Sequence, residues 1–284
     1  MRFAWILGVV CLACGPAQAQ LRATEGLTAL EAGDAEAARA IWQPLAERGD
    51  TLAQYNLGVL ALREGGNALP WFSAAAEAGY LPAQQALAGL FADAGAWQDA
   101  ARWYAAAAAQ GDALAAHSLG VLHDRGLLGA GARPEAERWF RQAAEGGHVP
   151  AQFALGALLT EAVDPEAAFW FERAAKAGHV EAKFNHARAL AEQDPTAARD
   201  WYRRAGAAGF GAASYNLALM QARGRGGAES FQAALAWATL AEQQGFLQAA
   251  SLIAALSEVM APDAQAAARA QAEQCLANPD TCPR

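Results

Sequence analysis

Tryptophan, glycine and alanine recur along this chain at fixed distances from one another. A tryptophan is followed eight positions later by a glycine, with alanine three positions before the tryptophan and four after the glycine. The pairs are Trp71 with Gly79, Trp103 with Gly111, Trp139 with Gly147, Trp170 with Gly178, Trp201 with Gly209 and Trp237 with Gly245. An earlier copy has Ile41 in the tryptophan position, Trp42 beside it and Gly49 at the same distance. The chain therefore contains seven repeats in phase.

The spacing within each repeat is that of α-helices. Positions −3, 0 and +4 from the tryptophan share one helix face, as do positions +4, +8 and +11 from the glycine. Each repeat therefore predicts two amphipathic helices, with the glycine ending the first in the left-handed conformation. The pairs Asp164-Pro165 and Asp194-Pro195 predict helix starts, with aspartate as N-cap and proline first in the helix. We predict an all-α fold in which the alanines let helices approach closely and the tryptophans fill the remaining space.

Several of these repeats resemble a known family. The stretches 123–126 and 139–147, together with Ala-Gln-Tyr-Asn-Leu-Gly at 53–58 and Ala-Ser-Tyr-Asn-Leu-Ala at 213–218, are similar to the Sel1-like repeat, a relative of the tetratricopeptide repeat. The resemblance covers about residues 34 to 256. It implies a right-handed α-solenoid of stacked antiparallel helix pairs with one concave wall. The shorter repeats lack the family's long glycine-containing loop, which the longer repeats carry at 125–133 and 221–229.

Residues 1–19 are typical of an export signal. Arg2 provides the positive n-region, residues 3–13 are an apolar run, and Ala17-Gln18-Ala19 is a small-x-small cleavage site. We expect cleavage after Ala19 and a periplasmic or secreted protein, with one α-solenoid domain of about seven to eight helix pairs over residues 20–284. An alternative is a lipoprotein signal in which Cys14 carries lipid, although Cys11 stands where such signals usually have a large aliphatic residue.

The two ends of the solenoid are predicted to be capping helices, over residues 21–32 and 262–276, because a terminal repeat has one face without a neighbour. Cys275 and Cys282 are the only cysteines beyond the export signal. Exported proteins meet an oxidising compartment, so this pair predicts a disulfide that holds the C-terminal tail. No segment after the export signal has the roughly 18 consecutive apolar residues that favour a membrane-spanning helix.

The charge and the motifs narrow the function classes. The formal net charge is −8, which disfavours nucleic acid and anionic membrane surfaces as partners. The sequence has no phosphate-binding glycine loop, no Gly-x-Ser-x-Gly and no His-Glu-x-x-His. His148 and His179 share the position after the glycine and are interpreted as turn residues, whereas His186 replaces a core leucine and is expected to be buried and hydrogen-bonded. A ligand or pH-sensing role for His186 is the alternative. We expect a monomer that is not an enzyme and has no metal or cofactor.

Polar side chains recur at two positions of the helix that follows each glycine. In related repeat proteins this helix lines the concave wall, where such side chains hold the main chain of a bound peptide. The resemblance therefore implies a candidate partner-binding face, formed by Gln54, Asn56, Gln84, Ser118, Gln152, Lys183, Asn185 and Asn216. The alternative is that the asparagines belong to the repeat consensus and stabilise local structure.

The function hypothesis that follows is an exported scaffold for protein–protein interaction, such as a periplasmic regulator or an envelope assembly adaptor. Its partner is a protein or peptide of unknown identity. One alternative is a binder or hydrolase related to peptidoglycan or β-lactams, because some exported relatives have been linked to them. Those relatives have a disulfide in every repeat, whereas this chain has one cysteine pair beyond the export signal. The other alternative is a structural outer-membrane lipoprotein anchored through Cys14.

Overall fold

The computed structural model describes residues 16–129 and 132–283, which form α-helices joined by short turns. The helices of the first part are α1 (Pro16–Glu31), α2 (Ala35–Ala46), α3 (Thr51–Arg63), α4 (Leu69–Glu77), α5 (Leu81–Asp93), α6 (Trp97–Ala109) and α7 (Ala113–Asp124). Those of the second part are α8 (Ala132–Glu145), α9 (Val149–Glu161), α10 (Ala167–Lys176), α11 (Val180–Leu190), α12 (Pro195–Ala207), α13 (Gly211–Ala222), α14 (Phe231–Gln243), α15 (Ala249–Val259) and α16 (Pro262–Ala277). A 3-10 turn, Pro279–Thr281, follows.

The chain divides into two compact units, Met1–Ala132 and Arg133–Arg284. Within each unit most consecutive helices pack against one another, so the predicted all-α fold of helix pairs is confirmed. At the end of the second unit α16 packs against α14. The single domain over residues 20–284 stays a prediction. In the described part of the chain, no helix is both long enough and apolar enough to span a membrane.

The glycine of every repeat ends a helix in the predicted way. All seven, from Gly49 to Gly245, have positive φ angles between 84° and 102°. At Gly79 the N–H of the glycine donates to Ala76 O and the N–H of Tyr80 donates to Ala75 O, both at 3.0 Å. This double hydrogen bond satisfies carbonyl groups that the last helical turn leaves open, and it needs a left-handed residue at the glycine position. A side chain there would be strained, which explains the constancy of the glycine.

In six of the seven repeats the residue after the glycine is the N-cap of the next helix. His148 and His179, interpreted from the sequence as turn residues, are N-caps whose Nδ1 atoms accept from main-chain N–H groups three residues later at 3.3 Å. Asp194 is confirmed as an N-cap, since its carboxylate accepts from the N–H of Ala197 at 3.0 Å. The same prediction for Asp164 was wrong, because α10 begins only at Ala167. The Asp164 carboxylate accepts from the N–H two residues on at 2.8 Å and so stabilises a turn before the helix.

The aromatic residue directly after the tryptophan position is the more regular core residue. Trp42, Phe72, Phe140, Phe171 and Tyr202 hold this position and are at most 5% exposed. The tryptophan position itself is mixed, since Trp103, Trp170 and Trp237 are buried whereas Trp71, Trp139 and Trp201 are half-buried. The prediction that the tryptophan fills the core is therefore only partly right. The reason is geometric, because the following position lies four residues after one conserved alanine and three before another buried alanine, on the same helix face.

The tryptophan position instead joins successive repeats. Trp71 in α4 packs against the core of the repeat before it, which contains Trp42 and Leu60. Trp103 in α6 belongs to the same buried cluster as Phe72 and Leu87, which are residues of the repeat before it. The tryptophan therefore covers the apolar face that one helix pair cannot bury alone, which is how repeats in a solenoid stabilise their neighbours.

The chain ends differ from the prediction only in detail. Helix α1 begins at Pro16 rather than at residue 21, since proline at the first helical position lacks only an N–H that would have no partner there. Helix α16 ends at Ala277, one residue beyond the prediction. Cys275 and Cys282 form a disulfide, and Trp237 Nε1 donates to the carbonyl of Pro283 at 3.2 Å, so the tail lies against α14. Residues 1–15, which contain Cys14 and most of the predicted export signal, lie outside the described residues.

Val163 occupies a position where other repeats have glycine. Among the described residues it is the one non-glycine with a positive φ, 58°, and its side chain is 89% exposed. Gly65 and Gly95 end the corresponding helices of other repeats with φ angles of 71° and 72°. A β-branched residue in this conformation is strained and here buries nothing in return.

Val163→Gly is therefore expected to raise the free energy of unfolding by about 1 kcal/mol. Urea unfolding followed by far-UV circular dichroism measures the change. Val163→Ala is the matched control, since alanine removes the branch but keeps a Cβ at a positive φ, and it should give the smaller gain. A glycine variant less stable than the parent would contradict the strain.

Candidate partner-binding face

Three of the eight candidate residues hold the glycine turns together. Gln54, Gln84 and Gln152 are between 4% and 8% exposed. Each donates from Nε2 to a carbonyl in the last turn of the preceding helix, at Ala46, Ala76 and Ala144, over 3.1 to 3.2 Å. Each of these carbonyls also accepts from the N–H of the repeat glycine at 2.9 to 3.1 Å, so the glutamine adds a second hydrogen bond that closes the turn from the side. The intramolecular bond leaves little of these side chains for a partner, and their binding role stays a prediction.

Two other candidates form hydrogen bonds with tyrosines, of which Tyr202 is buried and Tyr104 is half-buried. Ser118 bonds to the hydroxyl of Tyr104 and Asn216 to that of Tyr202, in each case between neighbouring helices. Burial raises the pKa of both tyrosines, so their hydroxyls stay protonated near neutral pH. Where the aromatic residue is Phe72 or Phe140, which has no hydroxyl, the position of Ser118 and Asn216 holds alanine instead, at Ala86 and Ala154. The polarity of this position therefore follows the tyrosine, which supports the local-structure interpretation. Asn56, whose repeat has Trp42 at the aromatic position, is 6% exposed.

Asn185 departs from this rule. The aromatic residue of its repeat is Phe171, which offers no hydroxyl, and Asn185 has no hydrogen-bond partner among the described residues. Its half-buried side chain lines a surface cavity of about 350 Å³. The cavity is formed by helices α10 and α11 and by the C-terminal end of α9. The cavity is lined by Thr160, Val163, Asp164, Pro165, Ala167, Ala168, Phe171, Asn185, Arg188 and Ala189. Asn56 Nδ2 also has no hydrogen-bond partner among the described residues, but Asn56 is only 6% exposed. Asn185 is therefore the candidate at this position whose unpartnered amide reaches a cavity.

Lys183 replaces the turn-closing glutamine in its repeat. It is half-buried and lines a surface cavity of about 530 Å³ together with Lys176, Arg203 and Arg204. Asp280 of the C-terminal tail lies at the same cavity. The substitution of lysine for glutamine thus exchanges a hydrogen bond at the turn for positive charge at the surface.

His186 is a buried core residue, as expected from its position. It is 7% exposed, and its ring meets that of Trp201 edge-on at 5.2 Å between centroids. Burial lowers the pKa of His186, so the ring is neutral near pH 7. Its Nδ1 is buried and has no hydrogen-bond partner among the described residues, so the expected hydrogen bond is not found at that atom. No group of three or more His, Cys, Asp or Glu side chains that could hold a metal ion occurs in residues 16–129 and 132–283.

A charged network links α8 to α10 in the second unit. Arg141 donates to Glu166 at 2.7 Å and to Glu137 at 3.0 Å. Trp170 Nε1 donates to the same Glu166 carboxylate at 2.9 Å. The hydrogen bond from Arg141 is the main cause that lowers the pKa of Glu166, followed in the same direction by the bond from Trp170. An arginine two positions after the repeat tryptophan is thus neutralised by a glutamate four positions before the next one.

The fold matches solved structures of repeat proteins, whereas no protein-family model and no curated protein matches the chain. A protective antigen of uropathogenic Escherichia coli strains that displays an SLR fold matches with a TM-score of 0.70 and 25% identity, over 93% of this chain. The chain spans 62% of the length of that antigen. A Sel1 repeat protein from Oxalobacter formigenes matches with a TM-score of 0.59 and 23% identity, over 84% of this chain and 76% of the other. This structural likeness confirms the predicted α-solenoid, and together with the seven repeats in phase it supports the predicted resemblance to the Sel1-like repeat family.

Proposed function

We propose that this protein is an exported scaffold that binds a segment of a protein partner in the cavity beside Asn185. The observation that carries the proposal is Asn185 itself. Its counterparts Ser118 and Asn216 bond to tyrosines, whereas Asn185 has no partner among the described residues and lines a cavity of about 350 Å³. The likeness to Sel1 repeat scaffolds supports binding rather than catalysis.

The cavity has the chemistry of a peptide site. An asparagine amide both donates and accepts, so it can pair with the N–H and C=O groups of an extended main chain. Phe171, Ala168 and Val163 supply apolar surface for a side chain of the bound segment, and Arg188 and Asp164 lie at the same cavity. Sites of this size combine mostly apolar lining with a few placed polar groups.

Export and an envelope role belong to the same proposal. The export signal at residues 1–19 favours a periplasmic regulator or assembly adaptor released after Ala19. Intact mass of the protein isolated from its native envelope tests this. A chain that begins at Gln20 supports export as a free protein, lipid on Cys14 supports the anchored alternative, and a retained residue 1 contradicts export.

Photo-crosslinking tests the binding site. A photoreactive phenylalanine derivative replaces exposed Ala189 at the cavity or, as the matched control, exposed Ala270 on α16. Expected is a protein adduct formed in the envelope from position 189 and not from position 270. Equal adducts from both positions, or none from position 189, would count against the site.

The adduct identifies a segment whose affinity can then be measured. Asn185→Ala is expected to weaken its binding about tenfold, because the main-chain groups it satisfied lose their partner. Gln193→Ala, which removes an exposed amide in the turn between α11 and α12, is the control and should leave the affinity unchanged. Equal affinities for the two variants would show that Asn185 is not the contact.

A further inference from the structure

Positive charge is concentrated in one part of this acidic protein. Between Arg173 and Arg225 there are nine basic and four acidic residues, including both lysines of the chain, although the whole chain has a formal net charge of −8. Helices α11 and α12 and the loop after α13 carry seven of these nine cations. A basic patch on an acidic protein favours an acidic partner, because the local potential and not the net charge acts at contact distance.

The repeat of Trp201 differs from that of Trp139 in how its charges are balanced. Two positions before and two after Trp139 stand Glu137 and Arg141, and Arg141 also reaches Glu166, the residue directly before α10. The same two positions around Trp201 are both arginine, Arg199 and Arg203. The position that corresponds to Glu166, four before Trp237, is Ala233. The repeat of Trp201 thus has two cations at positions where the repeat of Trp139 has one. It also lacks a counterpart of Glu166, the carboxylate that neutralises Arg141.

Arg199 and Arg203 line a surface pocket of about 400 Å³ between α12 and α13. Its lining residues are Thr196, Arg199, Asp200, Arg203, Leu217 and Gln221. Asp200 is bonded to Arg203 at 2.8 Å and is shared with Arg204 at 2.6 Å. No carboxylate lies within ion-pair distance of Arg199 in the part of the chain that the structure describes, and its one hydrogen bond there is to the carbonyl of Ala228 at 3.4 Å. The pocket therefore has an uncompensated positive charge.

The glycine-rich loop 221–229 is built against this pocket. A Cβ at Gly227 would collide with the Arg199 guanidinium, and one at Gly226, whose φ is 73°, would collide with the carbonyl of Pro195. The loop's own Arg225 donates to the carbonyl of Ala191 at 2.9 Å and pairs with Glu192 at 2.9 Å. The loop therefore packs against the start of α12, and the charge of Arg225 is neutralised by Glu192. Arg199 is left as the charge that faces the pocket without a carboxylate.

We propose that the pocket of Arg199 and Arg203 binds a carboxylate of an acidic peptide segment in the partner protein, in the role that Glu166 has beside Arg141. The guanidinium fork matches the two oxygens of a carboxylate, and such charge-assisted pairs are the stronger hydrogen bonds of proteins. Burial lowers the pKa of Arg199, because the guanidinium is partly removed from water in the pocket. This inference rests on the proposed function in one respect, that the ligand is part of a protein partner. The pocket of Arg199 and Arg203 is separate from the Asn185 cavity.

A fluorescein-labelled octaglutamate peptide is the probe, and fluorescence anisotropy at low salt is the measurement. Octaglutamate is expected to bind, and octaglutamine is not. Arg199→Gln should weaken octaglutamate binding about tenfold through loss of a charge-assisted pair. Arg269→Gln is the matched control, because it removes the same charge from an exposed site on α16 and should change affinity less than about twofold, as a remote screened charge does. Equal losses for the two variants would overturn the proposal.

A second variant tests the analogy with Glu166 by supplying a carboxylate from the protein itself. Ala233→Glu places a carboxylate at the position that Glu166 occupies relative to its tryptophan, so it should abolish octaglutamate binding. Ala233→Gln is its control and should bind like the parent. Ser230 caps α14 three residues earlier, and both glutamate and glutamine suit that position of a capping box, so the pair differs in charge and not in helix stability. Undiminished binding by Ala233→Glu would contradict the assigned pocket.

Two further measurements separate the possible outcomes. Competition by inorganic phosphate as strong as that by unlabelled octaglutamate would show a small-anion site and overturn the peptide proposal. Asn185→Ala should leave octaglutamate binding unchanged, and Arg199→Gln should leave the photo-adduct from position 189 intact. Failure at one site is therefore distinguishable from failure at the other.

Discussion

Phe72→Ala is expected to destabilise the first compact unit by about 3–5 kcal/mol, the usual cost of truncating a buried aromatic side chain. Phe72 is 1% exposed, and its ring lies where a Cβ on Gly58 of α3 would be. Tyr55 also packs against the ring, at 5.5 Å between centroids. Truncation leaves a cavity that the helix backbones around it cannot close.

Trp71→Ala supplies the comparison from the neighbouring residue of the same helix. Trp71 is half-buried and touches the preceding repeat, so its loss is expected to cost only about 1–2 kcal/mol, in proportion to the apolar area it buries. Urea unfolding measures both variants, and hydrogen exchange read by mass spectrometry shows which helices open, since repeat proteins need not unfold in one step. If Trp71→Ala lowers the free energy of unfolding more than Phe72→Ala does, the tryptophan is the main core residue, as the sequence predicted.

The repeat architecture was predictable because its determinants are local. Helical spacing and a glycine that must adopt a positive φ can both be read from one sequence, and the seven repeats show them in phase. The choice between two adjacent aromatic residues is not local. Trp71 and Phe72 both fit within a broad apolar stripe on the helix. Phe72 is the buried one of the two because it packs against Gly58 and the core alanines.

The candidate face was predictable only as a set of positions. Gln84 closes a turn and Ser118 bonds to a tyrosine, and each of these roles depends on a contact between helices that the sequence does not specify. The pocket of Arg199 and Arg203 was missed, although its sequence pattern is visible. Comparison of the positions two before and two after each tryptophan shows one repeat in which both are arginine.

Ala182→Leu is expected to lower the free energy of unfolding of the second unit by about 1–3 kcal/mol, the cost of overpacking a close contact. Ala182 is 0% exposed and lies in the first turn of α11, and its counterpart Ala115 in the first unit is 1% exposed. Both alanines stand four positions after the repeat glycine, so Ala115→Leu should show the same loss. Thermal and urea unfolding of the two variants measure it.

Ala189→Leu on the same helix separates packing from helix propensity. Leucine is nearly as good a helix former as alanine, so neither substitution should destabilise α11 as an isolated helix. Ala189 is exposed, and leucine there has room. A loss at position 182 with none at position 189 therefore reports the distance between helix axes, which the invariant alanine keeps short. Equal stabilities would mean that the alanine is not a packing position, and the constancy of alanine across the seven repeats would need another cause.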